Sequence, residues 1–127
     1  MIAAVLLLAA ATATAQTAPS ARAGNLCAMC HPDVRVQFER SIHHSEEVTC
    51  VSCHGGNPNA STVAAAHAGG FRGAISRREI PALCASCHAD GSRMRPYNLP
   101  TDQLALYQTS QHGQRLAKGD QKVAVCT

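Results

Sequence analysis

The chain has 127 residues and a formal charge of +3, with Lys and Arg scattered along it. That length allows one small domain with little core, and the scatter gives no basic stripe for nucleic acid. Aromatic residues make up 3% and Trp is absent, so an ordinary core of this size would lack large anchors.

Residues 2–11 are small and apolar, and Ala13-Thr14-Ala15 before Gln16 has the A-x-A form of a signal-peptidase site. Residues 1–15 therefore read as a secretory signal peptide, too short for a secure membrane span. The first basic residue is Arg22, so the usual positive leader is missing; a misplaced start codon or a front-clipped sequence explains this better than an uncleaved anchor. Residues 16–24 are rich in Ala, Ser, Pro and Gly and read as a disordered lead-in.

From residue 25 the chain is organised by three copies of one pattern: Cys27-Ala28-Met29-Cys30-His31, Cys50-Val51-Ser52-Cys53-His54 and Cys84-Ala85-Ser86-Cys87-His88. In C-x-x-C-H two thiols can form thioethers with a porphyrin while the next imidazole ligates its iron. Paired cysteines also suit zinc, or a strained redox-active disulfide, but neither needs a histidine after every pair. With 7 histidines in 127 residues, three such coincidences have a probability of about 2 in 10,000. Haem c (heme c) is the cofactor these residues point to, at three complete sites. Large apolar macrocycles would supply the missing core. Their propionates, at roughly two negative charges each, would move the net charge to about −3.

Between the first two motifs, Pro32 and Asp33 favour a helix start, and Val34, Phe38 and Ile42 recur every four residues. The spacing predicts one helix over 33–44 whose apolar face lies on a porphyrin. His43 and His44 close it. Along a continuous helix His31 and His43 lie about 18 Å apart, whereas two imidazoles on one iron need backbones about 12 Å apart. His43 should serve a different haem from His31. Adjacent helical residues point about 100° apart, so His43 and His44 could ligate two irons.

Gly55-Gly56-Asn57-Pro58-Asn59 reads as a loop, and 62–68 as a short helix carrying His67, another candidate axial ligand. Ser76-Arg77-Arg78-Glu79 has capping-box spacing and should start a helix that delivers the third motif. Arg77, Arg78, Arg93 and Arg95 could pair with propionates, although a solvated basic face suits most of them better. Met94 is a weak thioether candidate beside four spare histidines.

Thr101 is read as the N-cap of a helix running to about Gln111, stopped by Gly113, with His112 at its end as a further distal ligand. Tyr107-x-x-Ser110-x-His112 repeats the frame of Phe38-x-x-Ser41-x-His43. Seven cysteines are an odd number, and Cys126 has the context of the first thiol of a fourth motif. On that expectation the sequence is a fragment cut inside a fourth haem site, and four spare histidines match four haems.

With these motifs, residues 25–126 resemble the multihaem c-type cytochromes, either the small tetrahaem kind or the N-terminal part of a larger bacterial one. The resemblance implies a mainly α fold with extensive irregular loops and little or no sheet, its short helices packed around covalently bound haems. It implies export to the periplasm, where such proteins pass electrons from a quinol-oxidising donor to a periplasmic reductase, with membrane association possible but not clearly encoded. An iron with two imidazole ligands has no open position for substrate, which favours an electron carrier over an enzyme. The competing expectation is the relay part of a nitrite, hydroxylamine or sulfur-oxyanion reductase whose catalytic haem lies beyond Thr127.

Overall fold

The structure is a computed structural model and describes residues 25–46 and 48–126. The signal peptide and lead-in expected at 1–15 and 16–24 lie outside these residues. The described chain is helical, with no strand, in short pieces joined by loops. In chain order these are α1 (Cys27–Cys30), α2 (Pro32–Phe38), α3 (Ile42–Ser45), α4 (Cys50–His54), α5 (Val63–Ala66), α6 (Ile80–His88), α7 (Gly91–Met94), a 3-10 turn (Arg95–Tyr97), α8 (Gln103–Thr109) and α9 (Gln111–Ala117). None of these helices is long and apolar enough to cross a membrane.

The single helix expected over 33–44 is two helices. Pro32 opens α2 at a position where its missing N–H costs nothing. The helix ends because Ser41 turns back: its Oγ donates to the Phe38 carbonyl at 2.7 Å and its backbone N–H to the same oxygen at 2.9 Å. A serine side chain that satisfies a nearby carbonyl offers the backbone an alternative to the next helical turn. Ser41 is extended (φ −87°, ψ 153°), and α3 starts afresh at Ile42. The 18 Å spacing assumed between His31 and His43 therefore has no helix to support it.

The same event recurs at the second aromatic-x-x-Ser-x-His frame. Ser110 is extended (φ −72°, ψ 162°), and its Oγ donates to the Tyr107 carbonyl at 2.6 Å, ending α8. Gly113 is not the stop read from the sequence; it lies buried inside α9. A Cβ there would collide with the Tyr107 carbonyl, so glycine is what lets α9 fold back against the end of α8. Asp102, not Thr101, is the N-cap of α8.

Two other expected starts are close to what forms. Thr62 caps α5 by accepting from the Ala65 N–H, and α5 is shorter than 62–68. Ser76 and Glu79 do interact, through the Ser76 N–H and hydroxyl donating to the Glu79 carboxylate, but as a turn before α6 begins at Ile80.

The hydrophobic core among the described residues is Met94, Leu116 and Val123, at 8%, 4% and 5% exposure. It lies in the second half, where α6 packs on α7 and α8, and α8 on α9. Large apolar side chains near the first two motifs stay exposed: Met29, Val34, Ile42 and Val63 are each more than three-fifths accessible. A polypeptide leaving that much apolar surface uncovered is built to be covered by something else.

Candidate functional site

Each C-x-x-C-H begins in, or coincides with, a helical turn, for a local reason. Residues i and i+3 share a face of a helix, so one turn presents both sulfurs together. In α1 this turn is anchored by Asn25: its Oδ1 accepts the Cys27 N–H at 3.2 Å, and its Nδ2 donates to the Cys50 sulfur at 3.4 Å. One side chain thus ties the first motif to the second. No role for Asn25 is read from the sequence above; an Asn two residues before a cysteine helix is the signal for one. In α4, Thr49 and Ser52 make a reciprocal capping box. The third motif forms the last part of α6.

None of the seven cysteines is paired in a disulfide. Cys27 is pushed above its usual pKa, first by partial burial and then by the neighbouring Cys50 thiol. Burial and then Cys87 do the same to Cys53, and burial and then Cys126 to Cys84. Thiols of successive motifs are therefore neighbours, in the order of the chain.

The histidines fall into pairs. The rings of His31 and His67 have centroids 6.4 Å apart with planes at 41°, and those of His43 and His88 are 6.0 Å apart at 61°. Nitrogen–metal bonds near 2 Å, with about 1.1 Å from each nitrogen to its ring centre, put imidazoles on opposite sides of one metal about 6.2 Å apart. At a tetrahedral angle the same bonds would bring the centres to about 5.1 Å. The observed separations are close to the first of these spacings. The described residues hold no cluster of three or more His, Cys, Asp or Glu side chains around a common point, as a four-ligand zinc site needs. The donor set fits haem: two sulfurs on one turn, an imidazole beside them, and at two motifs a second imidazole across a metal-wide gap.

His54 is oriented differently. Its Nδ1 lies 3.1 Å from the Gly73 carbonyl, and a carbonyl can only accept, so Nδ1 carries the proton. That tautomer leaves Nε2 with its lone pair for a metal, the arrangement in which a backbone carbonyl orients a metal-ligating histidine. The segment that supplies Gly73 also supplies Phe71, whose ring stacks on His67 at 4.2 Å and 21°. Arg72 donates its N–H to the His54 carbonyl at 2.8 Å, locking this strap to α4. Gly55, at φ 68° and ψ −155°, makes the close approach possible, because a Cβ would strike the Gly70 carbonyl. The sequence reading missed Phe71 and Gly73. Their cue was an aromatic residue among closely spaced glycines, Gly69-Gly70-Phe71-Arg72-Gly73.

The remaining candidates are not brought against a second imidazole among the described residues. His44 is half-buried with its ring in a T-shaped contact with Phe38 at 5.5 Å. His112 is exposed near the start of α9, and Cys126 neighbours Cys84. Met94 is in the core, Arg77 donates to the Val123 carbonyl at 2.5 Å, and Arg93 pairs with Asp90 at 3.4 Å.

Residues 43–93 match the family model described as the doubled CXXCH motif, spanning the second and third motifs. That doubled motif is a signature of multihaem c-type cytochromes, and the match supports a multihaem c-type cytochrome family for this chain, with covalently bound haem c. No curated protein and no solved structure matches the chain.

Proposed function

We propose that the protein is a periplasmic electron carrier with one haem c at each of the three motifs, each iron held by histidine on both sides. A fourth haem would begin at Cys126. The observation that supports this reading best is the pairing of His31 with His67 and of His43 with His88 at the spacing of opposed axial ligands. Haem iron with two imidazole ligands exchanges single electrons at low potential and has no free position for substrate. The chain's own part is to hold and orient. Gly73 fixes the His54 tautomer and Phe71 holds the plane of His67, while the neighbouring thiols Cys27/Cys50 and Cys53/Cys87 set successive sites side by side. For the fourth site, His112 follows the same serine turn as His43, and Cys126 stands beside Cys84. Donor and acceptor would be redox proteins, a quinol oxidant and a periplasmic reductase.

The test is the absorption spectrum and intact mass of protein made in a host that attaches haem c. Three or more covalent haems, all low-spin and inert to carbon monoxide, are expected. A high-spin fraction that binds carbon monoxide would replace the carrier by the relay part of a reductase. A colourless chain would overturn both.

A further inference from the structure

We propose a specific ligand pairing, which rests on the haem reading above: His67 is the distal ligand of the haem on Cys27 and Cys30, opposite His31, and His43 is the distal ligand of the haem on Cys84 and Cys87, opposite His88. Each pair joins one motif histidine to one from outside the motifs. Both separations, 6.4 and 6.0 Å, leave room for a metal. The face-on contact of His67 with Phe71, at 4.2 Å, leaves no such room, and the edge-to-face contact of Phe38 with His44 is at 5.5 Å.

Local structure holds each distal ring where the pairing needs it. His67 follows α5 and is backed by the face of Phe71. His43 is the second residue of α3, displaced from the line of α2 by the Ser41 turn. Its neighbour His44 instead meets Phe38 in a T-shaped ring contact.

The pairing has a topological consequence. In sequence, residues 50–54 lie inside both the 31–67 loop and the 43–88 loop, so the two iron links each close a loop around the second motif. Cys50 neighbours Cys27, and Cys53 neighbours Cys87. The second site is then the middle of the relay, and the cross-links at the first and third sites hold it there. Closing loops of that length removes freedom from the unfolded chain as a disulfide does.

The experiment uses holoprotein carrying His67→Ala or His43→Ala. Intact mass comes first and should show the wild-type number of covalent haems; a chain without haem would overturn the haem reading itself. Each variant should gain one carbon monoxide-binding haem. Dilute peroxide then bleaches the opened haem, and mass spectrometry of the proteolysed protein shows which cysteine peptide has lost its macrocycle. H67A should lose it from the Cys27–Cys30 peptide and H43A from the Cys84–Cys87 peptide. Loss from another peptide, or no opened haem despite full haem content, overturns the pairing. Where an alanine variant does not accumulate, H67M or H43M replaces it. Methionine keeps six ligands and raises the midpoint potential of one haem, and an unchanged set of potentials overturns the pairing equally.

Discussion

Residues 25–73 and 80–123 solve the same problem in opposite ways. The first region carries two complete motifs and three spare histidines, and none of its described residues is buried. The second contains every buried residue among those described: Pro81, Met94, Gly113, Leu116 and Val123. Its tail is also tied back, with Tyr107 Oη donating to the Ala124 carbonyl at 3.1 Å and Arg77, just before the region, donating to that of Val123. Where the chain keeps its imidazoles and sulfurs presented for a ligand, it does not pack on itself. Where it carries fewer of them, it builds a small core of its own.

The sharpest way to break this contrast is to withhold haem. In a host that cannot attach it, amide exchange in 25–73 should lose protection by about two orders of magnitude or more relative to holoprotein, while 80–123 keeps a protected set around α6, α8 and α9. Equal loss in both regions would show that the second core is not independent.

Next in size are substitutions in that core. Leu116→Ala removes a side chain only 4% exposed and should cost about 2–5 kcal/mol in urea unfolding followed by exchange in 80–123. Gly55→Ala acts in the other region. Its φ of 68° with ψ −155° is a conformation that only glycine adopts without strain, so about 1–3 kcal/mol is expected. Because the added Cβ meets the Gly70 carbonyl, the strap bearing Phe71 and Gly73 should move with it. The holoprotein spectrum should therefore change in Gly55→Ala and stay constant in Leu116→Ala.

Much of this was legible in the sequence, and the part that was not has a physical explanation. The thiols and motif histidines are a contiguous pattern whose spacing is set by one helical turn, so they can be read directly. The histidine pairs cannot, because 31 with 67 and 43 with 88 are contacts across intervening loops, and the 3.6-residue period says nothing about them. The aromatic-x-x-Ser-x-His repeat was visible, but its meaning was hidden. Apolar periodicity carried the expected helix through Ser41, where a side-chain bond to the Phe38 carbonyl breaks it. Gly113 was misread because glycine marks both helix ends and close helix contacts, and only the position of the Tyr107 carbonyl decides between them.

The two serine turns allow a finer comparison. Ser110 does two things at once: its hydroxyl donates to the Tyr107 carbonyl and accepts from the Gly113 N–H at 3.2 Å. Ser41 makes only the first of these bonds and does not cap α3 with its side chain. Ser110→Ala should therefore cost about 1 kcal/mol, the usual value of an N-cap, and Ser41→Ala a few tenths. Equal losses in thermal unfolding would mean that both turns are held by the backbone alone.

The smallest expected effect is electrostatic and again separates the regions. Three carboxyls in the second half are held below the usual range: Glu79 chiefly by the Ser76 hydroxyl, Asp90 by the Ser92 hydroxyl, and Asp120 by the Lys122 N–H with help from Arg115. A carboxyl whose folded pKa is lowered contributes stability above its unfolded value and loses it as pH falls through the folded one. Acidification from about pH 4 downward should therefore weaken 80–123 slightly. Neutral donors lead at all three groups, so salt should change the loss little, acting only on the smaller arginine contributions. Urea midpoints at neutral and acid pH, with and without added salt, measure it; replacing Glu79 by Gln should remove part of the pH dependence. An acid loss that salt abolishes, or that appears in residues 25–73 instead, would mean the hydroxyl and amide donors around these carboxylates are not its source.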